Sequence, residues 1–432
     1  MSDNIEDKMK NRLLEGYVKR DLEDRIWRYI DSPEIISVTG PRQSGKTTLL
    51  LKIHDELDNS RFISFEDREV LDLFEEDIKN FAKVYIEDHD YLIIDEFQYA
   101  ESGGKKLKYL YDHYPDKKIL ITGSSVSEMT VKGLKFLTGR IFNFILYPFS
   151  FEEFLRYRDE KLYDIYNEKK KMLEGWICSK KEFDISKSIN SKFEELRKEY
   201  TIYGGYPRVV ISEDEEEKRT VIKNIINTYL LREIRDVLDI SDDREVRNLM
   251  RLLSLQTGEL TNYSNISNKS GFTHMDLKKK LNILELTFII KLVQPFFTNK
   301  QKEIVKTPKV YFYDNGFRNG VISNFQEMEN RSDRGELNEN FFFSQVVRKV
   351  ENLKYWRSKG KAEVDFVLQD ENVYPYEIKT TPKVTRSLRS FSDRYDPEYC
   401  FVVNEMEFGR RSENIFYVPL WLSGPLCEVF LN

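Results

Sequence analysis

The string Gly40-Pro41-Arg42-Gln43-Ser44-Gly45-Lys46-Thr47-Thr48 constrains this chain more than any other feature, because it fits G-x-x-x-x-G-K-[ST] and sits between a strand and a helix. Ile35-Ile36-Ser37-Val38 reads as the strand and Thr48 to Leu57 as the helix. In that setting the glycines let backbone N–H groups close around phosphates, and the helix N-terminus adds a favourable dipole. Lys46 is then expected to neutralise β/γ oxygens and the Thr47 hydroxyl to ligate Mg2+. The loop, Gly40 to Thr48, is the candidate nucleotide site.

The surrounding pattern predicts an α/β fold with a parallel sheet. Short β-branched runs at Phe62-Ile63-Ser64-Phe65, Tyr91-Leu92-Ile93-Ile94 and Ile119-Leu120-Ile121-Thr122 alternate with longer helical stretches. The run Tyr91 to Ile94 ends in Asp95-Glu96, at the C-terminal strand end where ligands bind in such folds. Asp95 is expected to complete the magnesium shell and Glu96 to orient or deprotonate the attacking water. The next strand ends in Gly123-Ser124-Ser125. A hydroxyl there, Ser124, reads either as a γ-phosphate sensor or as a helix N-cap. Arg140, at the start of a fifth run from Ile141 to Leu146, is a candidate phosphate contact in cis or from a neighbouring subunit.

Composition narrows the rest. The chain has 432 residues, too many for one ordinary core, which predicts several domains. With 33% charged residues and no long apolar run, a membrane span is not expected. The polar stretch Met1 to Lys10 lacks an apolar secretion segment, so the expected address is cytoplasmic. Three scattered cysteines, Cys178, Cys400 and Cys427, stand away from the four histidines and offer neither a local zinc site nor a disulfide framework. Any metal is expected on oxygen ligands. The net charge of −6 argues against nucleic-acid binding by the whole surface.

Four domains are expected: residues 1–150, a P-loop ATPase domain; 151–240, a helical lid or linker; 241–320, a winged helix; and 321–432, a nuclease-like α/β domain. Glu213 to Arg219 reads as a solvated helix start. Glu245 to Leu255, Tyr263 to Ser267 and Met275 to Leu286 read as three helices, followed by strands at Phe288 to Val293 and Val310 to Tyr313. Between Asp242 and Lys309 there are 12 Lys and Arg against 7 Asp and Glu, and Lys278 to Lys280 fall on the third helix. That layout suits a helix entering a DNA groove or a lid packed on an ATPase core.

Several segments carry a resemblance. Beside the P-loop stand Ile-Ile-Asp-Glu-Phe-Gln, Leu-Thr-Gly-Arg, Tyr-Pro-Phe-Ser-Phe-Glu-Glu-Phe, Tyr-Gly-Gly-Tyr-Pro-Arg and Lys-Thr-Pro-Lys-Val-Tyr-Phe-Tyr-Asp-Asn-Gly. Together with the later Glu-Ile-Lys, these resemble prokaryotic AAA-type ATPases over nearly the whole chain. The resemblance implies ATP and Mg2+ as cofactors and a restriction-endonuclease-like fold for the C-terminal part. It leaves Tyr203 to Arg208 without a role beyond a turn and a nucleotide-facing Arg208.

Nucleases of the PD-(D/E)xK type need carboxylates for a metal and a lysine near the scissile phosphate. Asp365, in Glu363 to Leu368, and Glu377 with Lys379, in Tyr374 to Lys379, meet that need. Period two puts Glu377 and Lys379 on one face, with Val364, Phe366 and Leu368 packing opposite Asp365. Glu339 shares the inward face of a helix with Phe342 and Phe343. Glu339, Asp365 and Glu377 are the expected metal ligands, with Arg357, Lys383, Arg386 and Arg389 as phosphate contacts. Val364 stands where the motif name has proline. The reading is an ATPase that positions a DNA-binding, nuclease-like C-terminal half. The alternatives are a nucleotide-dependent switch with a non-catalytic DNA- or protein-binding module, and a homo-oligomeric remodeller.

Overall fold

The computed structural model describes residues 14–124, 137–179, 181–228, 243–297 and 306–431. They fall into two compact units, one running to Phe149 with Leu286–Phe288 added, the other comprising Ser150–Glu285 and Ile289 onward.

The first unit is built on five parallel strands: β1 (Ile35–Gly40), β2 (Ser60–Ser64), β3 (Tyr91–Asp95), β4 (Lys118–Ser124) and β5 (Ile141–Ile145). Their spatial order is β2-β3-β4-β1-β5, so β4 lies between the strand that feeds the P-loop and the strand that ends in Asp95. Near-continuous apolar strands follow from burial on both faces. Ile36, Val38, Ile93 and Leu120 join one core with Leu49, Leu50 and Ile53 of the helix Lys46–Glu56. Their neighbours Ile35, Leu92, Ile94, Ile119 and Ile121 join a second core with Leu107 and Leu110 of the helix Gly103–His113.

The second unit begins with the helices Phe151–Arg158, Glu160–Ser179 and Lys187–Tyr203, the first opened by a capping box between Ser150 and Glu153. After the helix Glu215–Thr228 come Asp243–Leu255, Tyr263–Ser270 and His274–Leu286, then the antiparallel pair β6 (Ile290–Val293) and β7 (Lys309–Phe312). Lys278 and Lys279 are exposed on the third of these helices. Lys280 is buried, with its ammonium 4.6 Å from the centre of the Phe272 ring. Only two of the three lysines thus form a solvated face, because the third uses its stem for packing.

The C-terminal part has a helix, Arg334–Val346, against a six-stranded mixed sheet. The sheet contains β8 (Leu353–Arg357), β9 (Glu363–Gln369), β10 (Val373–Lys379), β11 (Cys400–Asn404), β12 (Gly409–Arg410) and β13 (Ile415–Pro419), in the order β12-β13-β11-β10-β9-β8. β8, β9 and β10 are antiparallel, whereas β11 runs parallel to β10 after the helix Arg386–Tyr395. No described helix is long and apolar enough to cross a membrane.

The segments Tyr203 to Arg208 and Tyr313 to Gly316 interlock. The Asp314 carboxylate accepts from the Gly205 N–H at 2.7 Å and caps the helix Asn315–Val321 through the Phe317 N–H at 2.7 Å. Arg208 lies in the second unit, paired with Glu217 and hydrogen-bonded to Ser212 at 3.2 Å.

Candidate functional site

The P-loop folds as its residue types require. Gly40, Gln43 and Gly45 have φ of 148°, 58° and 95°, a run that turns successive N–H groups toward one concavity. A Cβ on Gly40 would lie 2.3 Å from the backbone oxygen of Leu146, so glycine is required for packing as well as conformation. No side chain caps the helix Lys46–Glu56, and the buried Ser44 hydroxyl has no hydrogen-bond partner. Both features fit a cradle for phosphate oxygens. Arg20, a residue not foreseen from sequence, braces the loop by donating to Ser44 O at 2.8 Å and to Tyr147 O at 2.6 Å.

Lys46 is buried and donates to Gly40 O at 3.2 Å and Pro41 O at 2.9 Å. Burial lowers its pKa to about 8, against the opposing pull of Glu96 and Asp95. Polyphosphate stabilises the ammonium, so nucleotide binding takes up a proton wherever free Lys46 is neutral. The dissociation constant of a non-hydrolysable ATP analogue should therefore be flat below pH 8 and rise by about tenfold per pH unit above it. A flat titration from pH 7 to 9.5 contradicts this assignment.

Asp95, at the end of β3, is buried and accepts from Thr47 Oγ1 at 3.2 and 2.9 Å. Burial raises its pKa, while the hydroxyls of Thr122 and Thr47 oppose the shift. The facing hydroxyl and carboxylate are hard oxygen donors that suit a small divalent cation. Glu96 follows in the left-handed region at φ 53°, with its N–H donated to Thr122 Oγ1 at 3.1 Å and its carboxylate accepting from the Gln98 amide.

Thr122 is the hydroxyl on β4 that joins the site, since it also donates to Asp95. It can do so because β4 lies between β1 and β3. Sequence reading pointed two residues further on. The backbone of Ser124 pairs with Gly40, and its side chain lies outside the described residues. Replacing Thr122 with valine should destabilise the unit by about 1–3 kcal/mol, measured by denaturation, because Asp95 and the Glu96 N–H lose a buried partner. Turnover should fall at least ~10-fold through misplacement of Glu96. Unchanged stability and turnover would show that the hydroxyl holds neither group.

Arg140 stands at the other end of the sheet. Its carbonyl accepts from the Ile35 N–H at the start of β1, and its side chain pairs with Asp112 at 3.2 Å. Five residues of strand separate Ile35 from Gly40, roughly 17 Å at the usual rise. Contact with phosphate in cis is therefore excluded by strand polarity.

In the second unit, Asp365, Glu377 and Lys379 come together. Lys379 Nζ lies 3.2 Å from Asp365 Oδ2 and 3.4 Å from Glu377 Oε1. The alternation expected along β9 breaks at Asp365. The pairing of β9 with β10 ends at Phe366–Tyr376, and beyond it the Asp365 carboxylate accepts from the Ile378 N–H at 2.8 Å. Val364 joins the core of Trp356 and Leu388, whereas Phe366 stacks on Phe342, so the two do not share a face. A register shift in the pairing with β8 accompanies the break: Lys354 faces Val367 and Trp356 faces Val364, which leaves an extra residue on β9.

Glu339 is raised in pKa by burial first and by Asp365 second. It accepts from Tyr311 OH at 3.0 Å and lies 3.9 Å from Lys309 Nζ. Both Glu377 oxygens face Thr385 Oγ1, at 2.7 and 2.6 Å. Among the described residues, no group of three or more His, Cys, Asp and Glu side chains is placed to hold a metal. The expected ligand set Glu339, Asp365 and Glu377 is therefore not assembled, because hydroxyls and lysines occupy its members. Lys309, Tyr311 and Thr385 were missed in sequence. The one available signal was a lysine opening the otherwise apolar strand Lys309–Phe312.

Comparison with known proteins agrees with the geometry of the first unit. Residues 32–155 match the family profile described as AAA domain. The N-terminal unit carries an AAA-type ATP-binding domain. Residues 194–328 and 334–422 match two families each described as a domain of unknown function, DUF8612 and DUF4143. An uncharacterized protein of Haemophilus influenzae is 25% identical over 397 residues, covering 86% of this chain and 90% of that one. The uncharacterized protein MJ1544 of Methanocaldococcus jannaschii is 24% identical over 399 residues, covering 88% and 81%. Among solved structures, the Walker-type ATPase PABY2304 of Pyrococcus abyssi is similar at a TM-score of 0.46 and 17% identity, covering 71% of this chain and 96% of that one. The ORC1 protein of Aeropyrum pernix in complex with DNA gives 0.30 and 12%, covering 73% and 95%. Neither score implies a shared activity.

Proposed function

We propose that the chain is a magnesium-dependent ATPase whose nucleotide state governs DNA engagement by its C-terminal half. The observation that carries the enzymatic part is the convergence of Lys46, Thr47, Asp95 and Glu96 at the C-terminal ends of the parallel strands β1 and β3. Thr47 and Asp95 would hold Mg2+, which when bound neutralises charge on the β/γ oxygens. Gly40 to Thr48 would hold the phosphates, Lys46 would bind the β/γ oxygens, and Glu96 would align the attacking water and accept its proton.

For the C-terminal half, the helices from Asp243 to Leu286 with β6 and β7 support a winged-helix reading of residues 241–320. The meander β8-β9-β10 with parallel β11 supports a PD-(D/E)xK nuclease-like reading of residues 321–432. Residues 151–240 would be the helical linker. A concavity of about 380 Å3 lined by Trp356, Ser358, Arg386, Arg389 and Arg394 supports contact with DNA phosphates. Lys383 is exposed nearby in sequence, whereas Arg357 is engaged with Glu363 at 3.4 Å. The switch reading, with a non-catalytic C-terminal module, is favoured by the lysines already seated on the carboxylates. The proposed compartment is the cytoplasm. In a homo-oligomer, Arg140 would act on a neighbouring copy and turnover would rise more steeply than linearly with protein concentration.

The test is ATP turnover and DNA binding by the full chain. Wild type should hydrolyse ATP with Mg2+, Lys46→Ala should not, and DNA affinity should differ between ADP and a non-hydrolysable ATP analogue. Arg386→Ala with Arg389→Ala should weaken DNA binding and leave basal turnover intact. Turnover that survives Lys46→Ala rejects the ATPase assignment. DNA affinity indifferent to both nucleotide and arginines rejects the coupling.

A further inference from the structure

The strand β7 places Lys309 and Tyr311 two residues apart on one face, and both side chains reach Glu339. Lys309 is only 3% exposed. Its ammonium lies 2.5 Å from Glu363 Oε1 and 5.6 Å from the centre of the Tyr355 ring. An ammonium so deeply buried is a fixed part of the core, not an exchangeable counter-ion. Despite burial, its pKa is raised, since Glu339, Asp365 and Glu363 outweigh the desolvation.

The surrounding charges are nearly balanced. Glu339, Glu363, Asp365 and Glu377 face Lys309, Lys379 and Arg357. Three cations already face the four carboxylates, and of the three only Lys309 is buried, so a divalent cation would have to displace a seated side chain from its partners. The carboxylate oxygens are also engaged: Glu377 with Thr385, Asp365 with Ile378 N–H and Lys379, and Glu339 with Tyr311. Lys309 comes from β7, outside the segment 334–422 that contributes the carboxylates.

We propose that Lys309 is a resident cation of this carboxylate cluster, holding Glu363 and Glu339 as Lys379 holds Asp365 and Glu377, and that the C-terminal unit therefore does not cleave phosphodiesters. The chemistry is electrostatic substitution: side-chain cations, with the buried Lys309 ammonium among them, supply positive charge to the carboxylates without the Lewis acidity or the bound water that hydrolysis needs. The inference is independent of the ATPase reading, because every group in it belongs to the second unit.

The experiment is Mn2+ binding by the nucleotide-free full chain, using titration calorimetry with thermal unfolding as a second readout. Any Mn2+ held at Thr47 and Asp95 is common to all the variants and cancels. Wild type and Asp365→Ala should bind the same number of Mn2+ ions. Lys309→Met should gain one site, lose it again with Asp365→Ala added, and be stabilised by Mn2+ where wild type is not. Lys309→Arg, which keeps the charge, should gain none. A Mn2+ site in wild type that Asp365→Ala removes overturns the proposal. So does a folded Lys309→Met that gains no site, or DNA cleavage by wild type in Mg2+ or Mn2+ that Asp365→Ala abolishes. Should Lys309→Met fail to fold, the comparison of wild type with Asp365→Ala decides alone.

Discussion

Glu96→Gln should bind ATP within a few-fold of wild type and hydrolyse it at least ~100-fold more slowly, the usual scale for loss of a positioned general base. That factor corresponds to about 2.7 kcal/mol of transition-state stabilisation. The phosphate-binding groups are untouched by the change, since Lys46 bonds to the loop carbonyls and Thr47 to Asp95. Glutamine also keeps the side-chain length, and the backbone N–H that meets Thr122 is retained. What disappears is the proton-accepting oxygen. A rate within threefold of wild type, with nucleotide still bound, would remove Glu96 from the mechanism.

A companion variant separates chemistry from strain. Glu96 holds φ 53°, which costs a non-glycine residue roughly 1–2 kcal/mol. Glu96→Gly should lose turnover equally yet unfold at no lower temperature than wild type. A residue that is both conformationally costly and chemically placed is the usual mark of function overriding local stability.

How far these sites were legible depended on whether their parts are neighbours in sequence. The P-loop is contiguous, so Gly40 to Thr47 announce its turn and the helix that follows it. Asp95 and Glu96 were legible because an apolar strand ends in them. Thr122 was not, because its value depends on β4 being the strand inserted between β1 and β3, which no local pattern states. Arg140 was misplaced for the complementary reason: a turn glycine marks a strand start but not which end of the sheet that start occupies. In the second unit, Glu377 and Lys379 obey period two, yet Asp365 stands where the β9 ladder ends, and such a break is a tertiary event. Lys280 and Lys309 look like surface charges in sequence. One is covered by Phe272, from the segment just before its own helix, and the other is matched by Glu363, from a distant strand.

The largest stability effect is expected at Gly316. A Cβ there would lie 1.9 Å from the oxygen and 2.3 Å from the carbon of the Tyr203 carbonyl, and 2.7 Å from Gly204 N. All three are backbone atoms, so no side-chain rotation relieves the overlap. Nor is the partner segment free to retreat. Gly204 holds φ 80° with Asp314 where its own Cβ would be, and the Asp314 carboxylate is fixed by the Gly205 and Phe317 N–H groups. Tyr203 and Phe317 both belong to the core that includes Ile222, Leu249 and Leu337, so the interlock ties the helices of this unit together. Gly316→Ala should therefore cost at least about 3 kcal/mol, as overpacking against rigid groups does. The second unit should unfold roughly 6 °C or more below wild type. Gly335→Ala supplies the contrast within the same unit: nothing lies within 4 Å of its Cβ, it sits in the helix Arg334–Val346, and alanine there should stabilise by up to about 1 kcal/mol. Equal melting temperatures for the two variants would mean that Tyr203 and Gly316 do not touch. The expected divergence would show that the contact between Gly316 and Tyr203 holds the second unit together.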